Sequence, residues 1–169
     1  MLLGAMSAAG QDEADRARTL FKKRSYSEAA ALARQVFAQQ PHGRVSDRLR
    51  VLLCEAKRAG ADVGEPAESS PDSEPLSITG DVQRPEKISG PNPQFGDGAR
   101  RAGNEGQVIV VAVIDQDGCI VDIRLGRGLN VYADEDVLGA VRQWVFRPAF
   151  LHGKPVDVYY ALTVTVLFN

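Results

Sequence analysis

The chain has 169 residues with a net charge of −2, and 44% of them are hydrophobic and 25% charged. These values are typical of a globular protein with one domain or two small ones, and they exclude a wholly disordered chain. The small net charge provides no general attraction for nucleic acid, so no nucleic-acid partner is expected.

The first ten residues, Met1 to Gly10, are mildly apolar and end in small residues. They lack a basic start and are short for the apolar core of a signal peptide. They predict either a frayed terminus or the end of a signal peptide whose start lies upstream. The signal-peptide alternative places the protein in the periplasm, and the frayed terminus leaves a cytoplasmic location open.

Residues 1–60 predict a helical segment with an excess of basic residues. Apolar residues recur at helical spacing in two runs between Asp12 and Gln40, and in a third from Arg44 to Arg58. The first two runs resemble a tetratricopeptide repeat, although the family's usual glycines are replaced by Ala17 and Arg24. The residues that carry this resemblance are Ala17, Tyr26, Ala29, Ala33, Val36 and Pro41. A solenoid needs about three repeats, so a small packing unit is expected first and a peptide-binding groove second.

Residues 61–75 predict a linker between two modules. They are rich in Ala, Glu, Ser and Pro, and all of their charges are acidic. Such a composition buries too little apolar surface to order itself, and mutual repulsion and proline stiffness favour an extended spacer.

Residues 76–169 predict an α+β domain. The part before Phe95 is rich in proline and predicts irregular structure, and Asp97 to Ala102 can form a short helix. Gly106 to Asp115 predicts a central strand, and Asp115 to Gly118 a tight turn into a second strand that ends at Leu125.

A second helix and a final strand complete this predicted domain. Asp134 is a plausible N-cap for a helix that would continue through Trp144 and Val145 to Pro148. The final strand, Val156 to Phe168, alternates between an apolar face and a mixed face. These elements predict a three-stranded antiparallel sheet with two helices on one side.

An ordered set of residues from about Pro93 to Phe168 resembles the C-terminal domain of the TonB energy-transducer family. The matching positions are Pro93, Ala99 to Gly103, Gly106, Val108, Val113 to Asp115, Gly118, Gly128, Asp134, Ala140 to Arg142, Trp144, Phe146, Pro148, Ala149 and Gly153 to Val156. Phe95-Gly96 stands where a Tyr-Pro pair is usual, and Ala133 where a leucine is usual. TonB itself also has a membrane anchor and a long Pro-rich stalk, which this sequence does not show.

The resemblance implies a periplasmic protein-binding module that adds a transporter segment as a strand to its sheet edge. The final strand suits this role because it is long, has no internal proline, and has no Lys or Arg after Lys154. The alternative is that this strand is central or covered by the Pro-rich segment. The candidate edge residues are Tyr159, Ala161, Thr163, Thr165 and Leu167, and the candidate polar rim is Arg142, Arg147 and Lys154.

The expected partner is an outer-membrane transporter or another envelope protein. Inner-membrane motor components would be reached through another chain, and a homodimer through the same edge is a further expectation. A different class of function also stays open, namely a structural or adaptor protein of an envelope or secretion complex that uses this fold without transporter coupling.

No pattern in the sequence indicates catalysis, a cofactor or a metal. The two cysteines and two histidines have no redox or zinc spacing, and Cys54 and Cys119 are interpreted as thiols. The run from Asp115 to Gly118 is like the opening of a calcium loop, but Gly126 occupies the position that requires a glutamate. The protein is therefore expected not to be an enzyme.

Overall fold

The computed structural model describes residues 8–66 and 74–168, and the chain divides into two compact units, Met1–Ser73 and Glu74–Asn169. The first unit contains helices α1 (Ala8–Lys22), α2 (Tyr26–Gln39) and α3 (Arg44–Arg58). The three helical runs predicted from the spacing of apolar residues are therefore confirmed. Residues 1–7, which belong to the predicted signal-peptide end, lie outside the described residues.

Small side chains let the three helices pack closely. Ala17, Ala29, Ala30 and Ala33 are fully buried, and Leu49 of α3 is buried with them. Removing these faces from water stabilises the unit by about 25 cal/mol for each square ångström of apolar surface.

The turn between α1 and α2 places Arg24 at φ +63°. This left-handed backbone conformation favours glycine, because a Cβ atom there crowds the neighbouring carbonyl oxygen. Arg24 is also one of the two positions where a tetratricopeptide repeat would carry glycine. The local geometry thus fits such a turn, while the resemblance to the repeat itself stays a prediction.

The first part of the predicted linker is packed, in contrast to the extended spacer that its composition predicts. Ala61 and Val63 join the helical core, and Val63 is 6% exposed. The Arg34 guanidinium donates to the carbonyl oxygens of Val63 (3.1 Å), Gly64 (2.9 Å) and Glu65 (3.3 Å). A single arginine on α2 therefore holds this segment, an interaction that composition alone does not reveal. Residues 67–73 of the predicted linker lie outside the described residues.

Replacing Arg34 with lysine should release this segment from α2. An ammonium group is a point charge and cannot reproduce a fork that reaches three carbonyls, so we expect a loss of about 1–2 kcal/mol in the free energy of unfolding of the helical unit. Hydrogen exchange of the Gly64 and Glu65 amides should accelerate. Arg16→Lys, on an exposed part of α1, is the control, and equal behaviour of the two variants would contradict the assignment.

The second unit is an α+β domain built on one main sheet. Its elements are strands β1 (Leu76–Ser77) and β2 (Glu86–Ser89), helix α4 (Asp97–Ala102), strands β3 (Gly106–Ile114) and β4 (Ile120–Arg127), helix α5 (Val131–Val141), and strands β5 (Val145–Arg147), β6 (Ala149–Leu151), β7 (Lys154–Val156) and β8 (Val158–Val166). The main sheet has the order β1-β8-β3-β4, and β2-β5 and β6-β7 form two small sheets.

The sheet differs from the three strands that the sequence predicts. The long strands β8, β3 and β4 are antiparallel neighbours, and β1 is added as a short fourth strand parallel to β8. Both β1 and β2 lie in the Pro-rich segment that predicts irregular structure. Two to four residues are too few to produce a periodic signal, and their pairing depends on partners about 60 to 80 residues away.

Helix α5 is shifted from its predicted position. Asn130 is the N-cap and its side chain accepts from Ala133 N at 3.0 Å, while Asp134 lies in the first turn and accepts from Leu129 N at 2.8 Å. The helix ends at Val141, so Trp144 follows it and Val145 begins β5. β5 pairs with β2, and this tertiary pairing outweighs the helical spacing of these apolar residues.

The predicted turn after β3 is confirmed. The Asp115 carboxylate accepts from the backbone N–H of Asp117 (3.0 Å) and Cys119 (2.8 Å), and Gly118 has φ +90°. Phe146 N donates to Gly118 O at 2.8 Å, which joins the turn to β5.

The interpretation of Cys54 and Cys119 as thiols is wrong, because neither is a free cysteine. Both are disulfide-bonded.

The core lies between the main sheet and α5. The side chains of β3 alternate, and those that point inward are fully buried together with Val137 and Val141 of α5: Val108, Val110 and Ala112.

Beside this core, Trp144 Nε1 donates to Pro91 O at 2.7 Å, and the Lys87 ammonium lies 3.5 Å from the centre of the Trp144 ring. Partial burial lowers the pKa of Lys87. Trp144 thus ties the Pro-rich segment to the end of α5.

Candidate partner-binding edge

Strand β8 borders the main sheet along most of its length. On one side it pairs with β3 without a register shift, from Val158 opposite Ile114 to Val166 opposite Gly106. On the other side β1 pairs only with Val158 and Tyr159. Among residues 8–66 and 74–168, no strand pairs with this outer side from Tyr160 onward. We call Ala161 to Leu167 on this side the open edge.

One hydrogen bond shows which backbone groups face the open edge. Leu76 N donates to Asp157 O at 2.8 Å, so the carbonyl of Asp157 points away from β3. Successive residues of a strand direct their N–H and C=O groups to opposite sides. The odd-numbered residues therefore point outward, and Ala161, Thr163 and Thr165 offer donors and acceptors to an added strand.

The same residues also occupy the exposed face of the sheet. Ala161, Thr163 and Thr165 are exposed, and Leu167 is 61% exposed. The intervening Leu162, Val164 and Val166 are buried in the core. Tyr159 is half-buried and lies opposite β1. The alternation that the sequence predicts is therefore present.

The predicted polar rim is not brought to this edge by strand pairing. Arg142 is the C-cap of α5, Arg147 lies on β5, and Lys154 lies on β7, none of which belongs to the main sheet. Arg147 pairs instead with Glu86 of β2 at 2.6 Å. This ion pair joins β5 to β2. Arg147 therefore also has a structural role, which the sequence did not predict.

The opposite border of the sheet is protected in a way that the open edge is not. β4 has two register irregularities against β3, and its side chains include the exposed ion pair of Arg124 with Asp122 at 3.1 Å. Bulges and charges discourage the addition of a further strand. Residues 158–168 contain no charged side chain. Strand addition is therefore favoured at β8.

No group of three His, Cys, Asp or Glu residues suited to a metal occurs in residues 8–66 and 74–168. Within these ranges no helix combines the length and apolar character that membrane crossing requires. The feature that sequence reasoning missed is β1, whose two residues give no periodic signal.

Comparison with known families gives a match in this part of the chain. Residues 91–169 match the family described as the Gram-negative bacterial TonB protein C-terminal, which confirms the resemblance seen in the sequence. The match begins after the helical unit, so it does not test the tetratricopeptide resemblance. No curated protein matches the chain.

Proposed function

We propose, from the premise that residues 91–169 are a TonB C-terminal domain, that this protein binds a segment of an outer-membrane transporter. The family consists of protein-interaction domains and not of enzymes. The transporter segment would add as a strand along the open edge, in the periplasm. Backbone hydrogen bonds supply affinity in this mode of recognition, and alternate side chains supply register.

The observation that carries this proposal is the open edge itself. It combines outward-facing backbone groups at Ala161, Thr163 and Thr165 with small neutral side chains. A long uncharged edge of this kind promotes aggregation unless it is paired, so a partner strand gives it a use. A second copy of the chain could pair there in the same way, and self-association is therefore measured beside peptide binding.

Replacing Thr163 with proline should weaken strand addition while leaving the sheet intact. Proline removes an N–H that points outward, and edge positions tolerate this loss. We expect peptides that carry the transporter segment, the TonB box, to bind at least about tenfold more weakly, the equivalent of one or two lost hydrogen bonds. Titration of the full chain with a panel of such peptides, followed by amide chemical shifts of residues 159–167, measures this.

Thr163→Ala is the matched control, because it removes the side chain but retains the N–H. It should bind peptides nearly as well as the parent protein. Absence of shift changes along residues 159–167 with every peptide would reject the proposed function. Equal weakening by alanine and proline would indicate that the side chain, and not the backbone edge, makes the contact.

The second candidate function is an adaptor in an envelope complex that has no transporter. The helical unit favours it, because α1 to α3 form a core of their own that could hold another protein. Capture from an envelope extract by the parent protein, compared with Thr163→Pro, separates the two functions. Partners lost from the proline variant use the edge, and partners retained by both use another surface.

A further inference from the structure

Strand β1 occupies the beginning of the same border to which a partner strand would add. Its two residues pair in parallel with Val158 and Tyr159, and Leu76 N already takes the outward-facing carbonyl of Asp157. The outer side of β8 is thus paired with β1 at Val158 and Tyr159 and continues as the open edge from Ala161.

The chain leaves this border directly after Ser77, and tertiary contacts fix its exit. Ile78 and Val82 pack against the core, and a turn with Val82 N 3.3 Å from Thr79 O lies between them. Two backbone hydrogen bonds then join Gln83 to Phe150, at 2.8 and 3.2 Å. A strand entering from outside would have to break these contacts in order to continue past Tyr160.

The far end of the open edge is the end of the strand itself, because β8 ends at Val166 and Phe168 is bonded on the side of β3. The Glu105 carboxylate, next to β3, accepts from Phe168 N at 2.8 Å, and the Phe168 ring meets Phe95 edge-on with centroids 5.6 Å apart. The edge between these two limits runs from Ala161 to Leu167. It covers about seven residues, or roughly 23 Å of extended chain.

We infer that β1 is a stop that sets the length and register of the partner segment. This inference rests on the proposed function. The partner fits as an uncharged strand of about seven residues, and one of its ends meets Ser77. Its inward side chains lie beside Leu162 and Val164, which favours apolar residues, and its outward side chains lie beside Ala161, Thr163 and Thr165, which favours small or hydroxyl residues.

The test uses the tightest-binding TonB-box peptide, trimmed to seven residues, and two longer forms that carry Val-Thr-Val at the N-terminus or at the C-terminus. With the parent protein, all three forms should bind with dissociation constants within about twofold of each other. Leu76→Pro removes the N–H that bonds Asp157 O, and Leu76→Ala retains it. Leu76 is 39% exposed, so Leu76→Ala should not shift the unfolding midpoint measured by Trp144 fluorescence, and Leu76→Pro should lower it by no more than the loss of one hydrogen bond requires.

In Leu76→Pro, one of the longer forms should bind about tenfold more tightly than the seven-residue peptide, because two or more further backbone hydrogen bonds become available. The form that gains reveals the direction of the partner: the N-terminal extension for a parallel strand, and the C-terminal extension for an antiparallel one. Leu76→Ala should behave as the parent protein does.

Two outcomes would overturn the inference that β1 limits the partner strand. Either a longer form already gains affinity in the parent protein, or neither form gains in Leu76→Pro although the seven-residue peptide binds. Failure of every peptide to bind both proteins rejects the proposed function as well, so the two failures can be told apart.

Discussion

Gly118→Ala should lower the free energy of unfolding of the C-terminal unit by about 3 kcal/mol or more. Gly118 has φ +90°, and a Cβ atom there would overlap the carbonyl oxygen of Phe146. The clash can be relieved only by moving the backbone, which breaks the 2.8 Å hydrogen bond from Phe146 N to Gly118 O. Urea unfolding followed by fluorescence measures the loss, because the only tryptophan, Trp144, lies in this unit.

Gly153→Ala is the matched control for this change. Gly153 has φ +80°, but nothing lies within 4 Å of a Cβ atom placed there. It should therefore show only the cost of a left-handed backbone, about 1 kcal/mol. Similar losses in the two variants would mean that the contact with Phe146 does not constrain the turn.

Phe146→Ala should destabilise the same unit by about 3–5 kcal/mol, the usual range for a buried phenylalanine. Phe146 is 1% exposed, and its ring centroid lies 6.4 Å from that of Trp144 and 6.1 Å from that of Tyr160. The truncation leaves a cavity between β5, β8 and the end of α5. The urea midpoint of Trp144 fluorescence again measures the effect.

Phe95→Ala provides the comparison for this truncation. Phe95 is only half-buried and its ring meets that of Phe168 edge-on, so its truncation should lower the free energy of unfolding by about 1–2 kcal/mol. A loss as large as that of Phe146→Ala would show that the Phe95–Phe168 contact, and not the interior of the sheet, limits stability.

Regular spacing of apolar residues and local turn chemistry were enough to predict some elements of the fold. Two-residue alternation placed the outward side chains of β8 correctly, and the Asp115 to Gly118 turn followed from local chemistry. Asn130 and Asp134 are a less complete case. Both residue types suit a helix N-terminus, and only the hydrogen bond from Ala133 N to the Asn130 side chain, in a helix that begins at Val131, decides which of them is the cap.

Pairings between distant residues could not be predicted in the same way. The position of Trp144 after α5 depends on β2, and the packing of Val63 depends on Arg34. In each case the deciding partner is remote in the sequence, so no local pattern contains it. The ion pair of Arg147 with Glu86 is another pairing of this kind, and β1 was missed because two residues have no period.

By itself, the sequence indicated the helical unit, the α+β class of the second unit, its resemblance to the TonB C-terminal family and the alternation of exposed and buried side chains along β8. These features depend on residue spacing and local turn chemistry, that is, on residues that are close together in the sequence. Only the tertiary structure decided where the open edge begins. That limit is the place where β1 ends and the chain turns into the core, and it depends on a hydrogen bond between residues 76 and 157.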